Sequence, residues 1–135
     1  MRVLGISGSL RRDSHNTALL RAAAELLPPA AELELFDGLA EIPPYSEDTD
    51  RGGRPEAVAR LDAALRGADA VLFSTPEYNH SIPGQLKNAI DWVSRPVLGN
   101  PLHGKPVAGV GASTGSFGAV WAQAELRKVL GALHA

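Results

Sequence analysis

The 135-residue chain contains no cysteine. That excludes disulfides, thiolate metal sites and a cysteine nucleophile, and leaves the compartment open. No apolar run approaches the roughly 20 residues a membrane-spanning helix needs. The opening residues enter a strand pattern at once, so no secretory leader is expected. A formal net charge of −2, with Arg11–Arg12 as the densest basic cluster, offers no field to recruit nucleic acid. His15, His80, His103 and His134 do not fall at ligand spacing with one another or with a carboxylate cluster, so no metal is expected. There is no internal repeat, no low-complexity tract and no G-x-x-x-x-G-K-[ST] loop. What remains is one domain, residues 1–135, long enough to bury a core and by default soluble and cytoplasmic.

Against those absences, an alternation stands out. Val3, Leu4 and Ile6 form a short apolar run, residues 31–36 (AELELF) alternate, and DAVLFSTP (69–76) and VAGVGAS (107–113) are near-continuous apolar strands. Helical stripes separate them. Leu19, Leu20, Ala23, Ala24 and Leu27 make the first; Val58, Leu61 and Leu65 the second; Leu86, Ala89, Ile90 and Val93 the third; Ala122, Leu126, Val129, Leu130 and Leu133 the last. The order β-α-β-α-β-α-β-α predicts a parallel sheet with helices on both faces, the first and last sharing one. Residues 37–54 form the longest irregular connection, a length often associated with function.

In such sheets ligands bind beyond the carboxyl ends of the strands. Three polar loops leave strands there, at 8–17, 76–84 and 112–118. The first carries Ser7, Ser9, Arg11, Ser14, Asn16 and Thr17 into a helix start. Unpaired helix N–H groups, the helix dipole and added hydroxyls make an anion site in outline; a simple turn capped by Ser14 is the bland alternative. The second, Pro76 to Gly84, combines backbone groups, an amide and an aromatic ring, the mixture a planar heterocycle needs, or else it only starts a helix through Ser81 and Pro83. The third holds a G-x-S-x-G pattern from Gly111 to Gly115, which would make Ser113 a hydrolase nucleophile. Its only partners, Glu125 and His134, lie in or beyond the last helix. Gly109, Gly111 and Gly115 lack the following acidic residue of a dinucleotide fingerprint and suit close backbone approach instead.

Taken together, GSLRRDSHNTALL, PEYNHSIPGQLKNAIDW and STGSFG resemble the NAD(P)H-dependent FMN reductase family, flavodoxin-like enzymes that include quinone, azo-dye and chromate reductases. The resemblance spans nearly the whole chain. It implies a doubly wound parallel sheet in the order 2-1-3-4, with the family's fifth strand and closing helix missing, as in a C-terminally truncated form. It implies FMN as cofactor, NADPH or NADH as co-substrate and a small-molecule electron acceptor. By the same resemblance, Ser9, Arg11, Ser14, Asn16 and Thr17 hold the FMN phosphate. Pro76, Glu77, Tyr78, Asn79 and Ser81 line the isoalloxazine and ribityl part, and Ser113, Thr114, Gly115 and Phe117 lie beneath the pyrimidine end. No protein side chain need be catalytic, because the flavin carries the chemistry. An FMN-binding electron carrier without nicotinamide turnover is the alternative. The family tends to form dimers or tetramers. Here Trp92, projecting off the stripe of its helix, and the region around Trp121 are expected at a homodimer or homotetramer contact. An apolar strand at 107–113, ending without a neighbour, adds to that expectation.

Overall fold

The computed structural model describes all of residues 1–135. Strands β1 (Arg2–Ser7), β2 (Glu32–Phe36), β3 (Ala70–Ser74) and β4 (Val107–Val110) form one parallel sheet in the order β2-β1-β3-β4. Around it lie α1 (His15–Glu25), α2 (Glu47–Gly52), α3 (Glu56–Gly67), α4 (Gly84–Val93) and α5 (Val120–Ala132). Both the parallel alternation and the strand order agree with the expectation. β1 pairs on both sides, and Val3 through Ile6 are buried, as an apolar run without alternation requires.

The helices divide unequally. Ile6, Phe73 and Gly109 stand in register across β1, β3 and β4, so they share a face. Leu61 and Leu65 of α3 and Leu86 and Ile90 of α4 enclose Ile6 and Phe73. Leu126 of α5 sits over Gly109, where an added Cβ would stand 3.2 Å from it. Leu126 and Leu130 belong to the same buried cluster as Phe73 and Leu86. The last helix therefore joins α3 and α4, and the expectation that it shares a face with α1 is corrected. Right-handed crossovers explain the grouping: the chain moves one way along the sheet from β1 to β2 and the opposite way from β2 through β3 to β4, so the later helices take the other face. Ser74, next to Phe73, points to the α1 side, where its hydroxyl meets Asn16.

β4 differs from the expected buried strand over 107–113. It ends at Val110 and pairs only with β3, leaving Val107, Gly109 and Val110 half-buried and Ala108 exposed. The edge position is the one the order 2-1-3-4 implies; the burial and length read from the apolar run are what the structure corrects, since burial needs a neighbouring strand.

The 37–54 connection is ordered rather than open. Leu39 and Ile42 enter the core around a short 3-10 turn, and α2 follows. One face of α4 staples it down. Gln85 Nε2 donates to the carbonyls of Leu39 (2.7 Å) and Ile42 (2.8 Å), and Asn88 Nδ2 to that of Pro43 (2.9 Å). Asn88 Oδ1 accepts from the Tyr45 N–H at 2.8 Å. Trp92 completes the row: its Nε1 donates to the Pro43 carbonyl at 2.7 Å and its ring meets Tyr45 edge-on at 4.9 Å. Trp92 is fully buried, so the expectation that it projects outward to a subunit contact is corrected. It does leave the sheet-facing stripe, but a folded-down loop covers it. Trp92→Ala should lower unfolding stability by about 3–5 kcal/mol, the usual cost of emptying a large aromatic site. The loss should appear in urea titrations and be independent of protein concentration.

Candidate functional site

β1, β3 and β4 end on one edge of the sheet, and their exit loops meet there around a cleft of about 310 Å³. Its walls are Ser9, Arg11, Ser14, His15 and Asn16 from the first loop, Pro76, Glu77 and Tyr78 from the second, and Ala112, Ser113 and Thr114 from the third. No residue of the 37–54 connection contributes.

One buried amide holds this convergence together. Asn16, the second residue of α1, is 3% exposed. Its Oδ1 accepts from the Ser74 hydroxyl and from the Ala112 N–H, both at 2.9 Å, and its Nδ2 donates to the Ala112 carbonyl at 3.0 Å. The side chain thus pairs with the backbone of residue 112 as a strand neighbour would, and locks all three strand exits. Asn16, expected among the phosphate ligands, lines the cleft, and its side chain joins the loops that form it with three bonds, leaving one Nδ2 hydrogen over. Thr17 is similar. Its hydroxyl donates to Ser7 Oγ at 2.9 Å, away from the cleft wall.

Ser14 caps α1. Its Oγ accepts from the N–H groups of Asn16 (3.1 Å) and Thr17 (3.4 Å). Ser9 Oγ accepts from the Arg11 N–H at 3.3 Å. Both hydroxyls therefore spend lone pairs on backbone donors and keep their protons for an outside acceptor. Beside them is Arg11. The cations with carboxylate partners are Arg2, Arg51, Arg54, Arg60, Arg66, Lys87 and Lys128, with His80 near Glu77. Arg11 is not among them. Two hydroxyl protons, one free guanidinium and a helix start suit an acceptor-only anion such as a phosphate.

The second loop is a tight hairpin. Tyr78 and Ser81 exchange N–H···O bonds of 3.0 and 3.1 Å, with Asn79 (φ 53°) and His80 (φ 61°) left-handed between them, the conformation a two-residue turn of this kind demands. Asn79 and His80 consequently sit exposed at the tip. Neither Asn79 nor Ser81 lines the cleft.

The third loop needs Gly111. A Cβ there would lie 2.8 Å from the Thr75 carbonyl and 2.9 Å from Ala119 Cβ. Residues 113–118 are exposed, and Gly115 and Phe117 lie off the cleft wall. Phe117 instead meets Trp121 edge-on at 5.1 Å, and His80 meets Trp121 edge-on at 4.6 Å, forming an exposed aromatic ridge beside the cleft. Ser113 Oγ accepts from the Gly115 N–H at 2.9 Å. The hydrolase constellation is not assembled. Glu125 pairs with Lys128, and His134 lies beside His103 (ring centroids 5.4 Å apart) past the C-terminal end of α5, a helix about 20 Å long that begins after the loop carrying Ser113.

The arrangement is that of a flavodoxin-like α/β protein whose cleft lies at the strand exits. The family model "NADPH-dependent FMN reductase" matches residues 1–135. The chain is 53% identical over 130 residues to an NAD(P)H-dependent FMN reductase of Pseudomonas aeruginosa, covering 96% of this chain and 69% of that one. It is 40% identical over 131 residues to a quinone reductase of Escherichia coli, with 96% and 69% covered. The solved structure of the flavoenzyme NAD(P)H:(acceptor) oxidoreductase FerB from Paracoccus denitrificans superposes with a TM-score of 0.90 at 42% identity, covering 98% of this chain and 71% of that one. The chain belongs to the NADPH-dependent FMN reductase family. It is an oxidoreductase that uses FMN and NAD(P)H, which sets aside the carrier-only and hydrolase readings.

The sequence did not mark Ala112, whose backbone carries the tie to Asn16; nothing in an alanine side chain signals that role. Asn16→Ala should destabilise the fold by about 1–3 kcal/mol, since it strands the Ser74 hydroxyl and both polar groups of Ala112. Amide exchange at Ala112 should quicken with it, which proton–deuterium exchange would measure.

Proposed function

We propose that FMN lies along this cleft with its phosphate against Ser9, Arg11 and Ser14 and its ring system toward Pro76–Ser81 and Ser113–Phe117. The supporting observation is the pair of hydroxyls whose oxygens serve the backbone while their protons stay free, beside an unpaired Arg11. Bound FMN would accept a hydride from NAD(P)H and pass two electrons to the acceptor. The chain's own residues grip the phosphate, and the hairpin and third loop present backbone groups and Tyr78 to the ring. They leave an open side for nicotinamide and acceptor to take in turn. A quinone-type acceptor, being flat, would fit that open side. Residues 1–135 act as one FMN-binding unit by this reading, in the cytoplasm, where NAD(P)H is available. No helix is long and apolar enough to cross a membrane.

Arg11→Ala or Ser14→Ala should weaken FMN by about 10- to 150-fold, the worth of one charge-assisted contact, and leave riboflavin nearly unchanged. Equal losses for both ligands would contradict the phosphate assignment. The unmodified protein should be yellow, and anaerobic NADPH or NADH should bleach it.

The same reading places a homodimer or homotetramer contact at the ridge, because Phe117 (66% exposed), Val120 (47%) and Trp121 (41%) form a cluster of large apolar side chains open to water. Sedimentation at micromolar concentration should show at least a dimer. Trp121→Ser should shift it toward monomer.

A further inference from the structure

α5 begins without a cap of its own. Ala119, the residue preceding it, is left-handed (φ 60°), has no capping side chain, and no acidic residue follows in the first turn. The early N–H groups of a helix need acceptors. The acceptor comes from 44 positions earlier in the chain. Glu77 Oε2 takes hydrogen bonds from both the Trp121 and the Ala122 N–H, each at 3.0 Å. The Glu77 side chain is only 14% exposed, so water competes little for the oxygen that holds these N–H groups. Its other oxygen, Oε1, lies 3.6 Å from His80 Nδ1 within the same hairpin.

The third loop is anchored at both ends by side chains from the other two. Asn16 holds Ala112 at its start, and Glu77 holds the first turn of α5 at its finish. Residues 113–118 between them are exposed, with local bonds from the Gly115 N–H to Ser113 Oγ and from Gln123 Nε2 to the Gly118 carbonyl. The resemblance assigned Glu77 to the flavin-lining set, yet Oε2 is already committed.

We propose that Glu77 is a positioning residue: it sets loop 113–118 against the hairpin 76–81 through the start of α5 and donates or accepts nothing at the flavin itself. What matters is then the reach of an acceptor oxygen, with charge secondary. Aspartate keeps the charge but is one methylene too short; glutamine keeps the reach and one acceptor oxygen without the charge.

The inference rests on the FMN reading for one of its two measurements only. In the apoprotein, amide exchange at Trp121 and Ala122 should accelerate at least tenfold in Glu77→Asp and stay within about threefold of the unmodified protein in Glu77→Gln. In titrations, Glu77→Asp should weaken FMN and riboflavin equally, by about tenfold, because the tie acts at the ring end; Glu77→Gln should bind both within about threefold. The reverse order, with aspartate tolerated and glutamine not, would overturn the proposal in favour of a direct charge effect. Unchanged exchange at Trp121 and Ala122 in Glu77→Asp would also overturn it, as would loss of FMN binding with riboflavin spared. If the unmodified protein bound no flavin, the FMN reading would fall, while the exchange measurement would still judge the tie.

Discussion

The candidate site depends on a side-chain amide that behaves as backbone. A parallel sheet ends in a row of loops with no hydrogen-bond ladder between them, because the strands that would pair have stopped. Asn16 extends the ladder past the ends of β3 and β4 by taking the N–H and offering the partner for the carbonyl of Ala112. The Ser74 hydroxyl completes it. A buried amide with these three bonds has both lone pairs and one of its two N–H donors committed, and an unsatisfied one would cost more than an apolar residue in its place. The cleft is therefore specified by polar satisfaction, and the apolar core beneath only supplies the platform.

The layout of the platform follows from handedness and size. Because the chain reverses direction along the sheet after β2, α1 lies alone on one face while α3, α4 and α5 share the other. α1 can then approach the ends of β1 and β3 closely enough for its second residue to reach Ala112. On the opposite face, Gly109 makes room for Leu126, and Gly111 lets the Thr75 carbonyl and Ala119 come near. α5 thereby starts within reach of Glu77.

Much of this was legible in the residues. Strand and helix order came from apolar periodicity, and the convergence of three polar loops came from parallel topology alone. The less legible features all involve partners distant in sequence. Asn16 and Thr17 look like anion ligands because of their place at a helix start; their bonds to Ala112 and Ser7 depend on which loop lies opposite. Trp92 leaves the apolar stripe of α4, and only the path of residues 39–45 decides that it is covered. The segment QLKNAIDW is distinctive as sequence, and its Gln85, Asn88 and Trp92 serve to pin that connection, not to touch the cleft. The edge position of β4 followed from the order 2-1-3-4; its length and burial were overstated, because composition registers apolarity and burial requires a neighbour.

Two kinds of residue therefore occupy the site loops. Ser9, Arg11 and Ser14 keep donors free at the cleft, whereas Asn16 and, at the other end, Glu77 hold the walls in place. The measurement that separates these roles most directly is a crystal structure of the chain with FMN bound. Phosphate oxygens are expected about 2.7–3.2 Å from Ser9 Oγ, Ser14 Oγ and the Arg11 guanidinium, with the Asn16 amide still paired to Ala112. A phosphate bound elsewhere, or an Asn16 side chain released from Ala112 to hold it, would contradict the account.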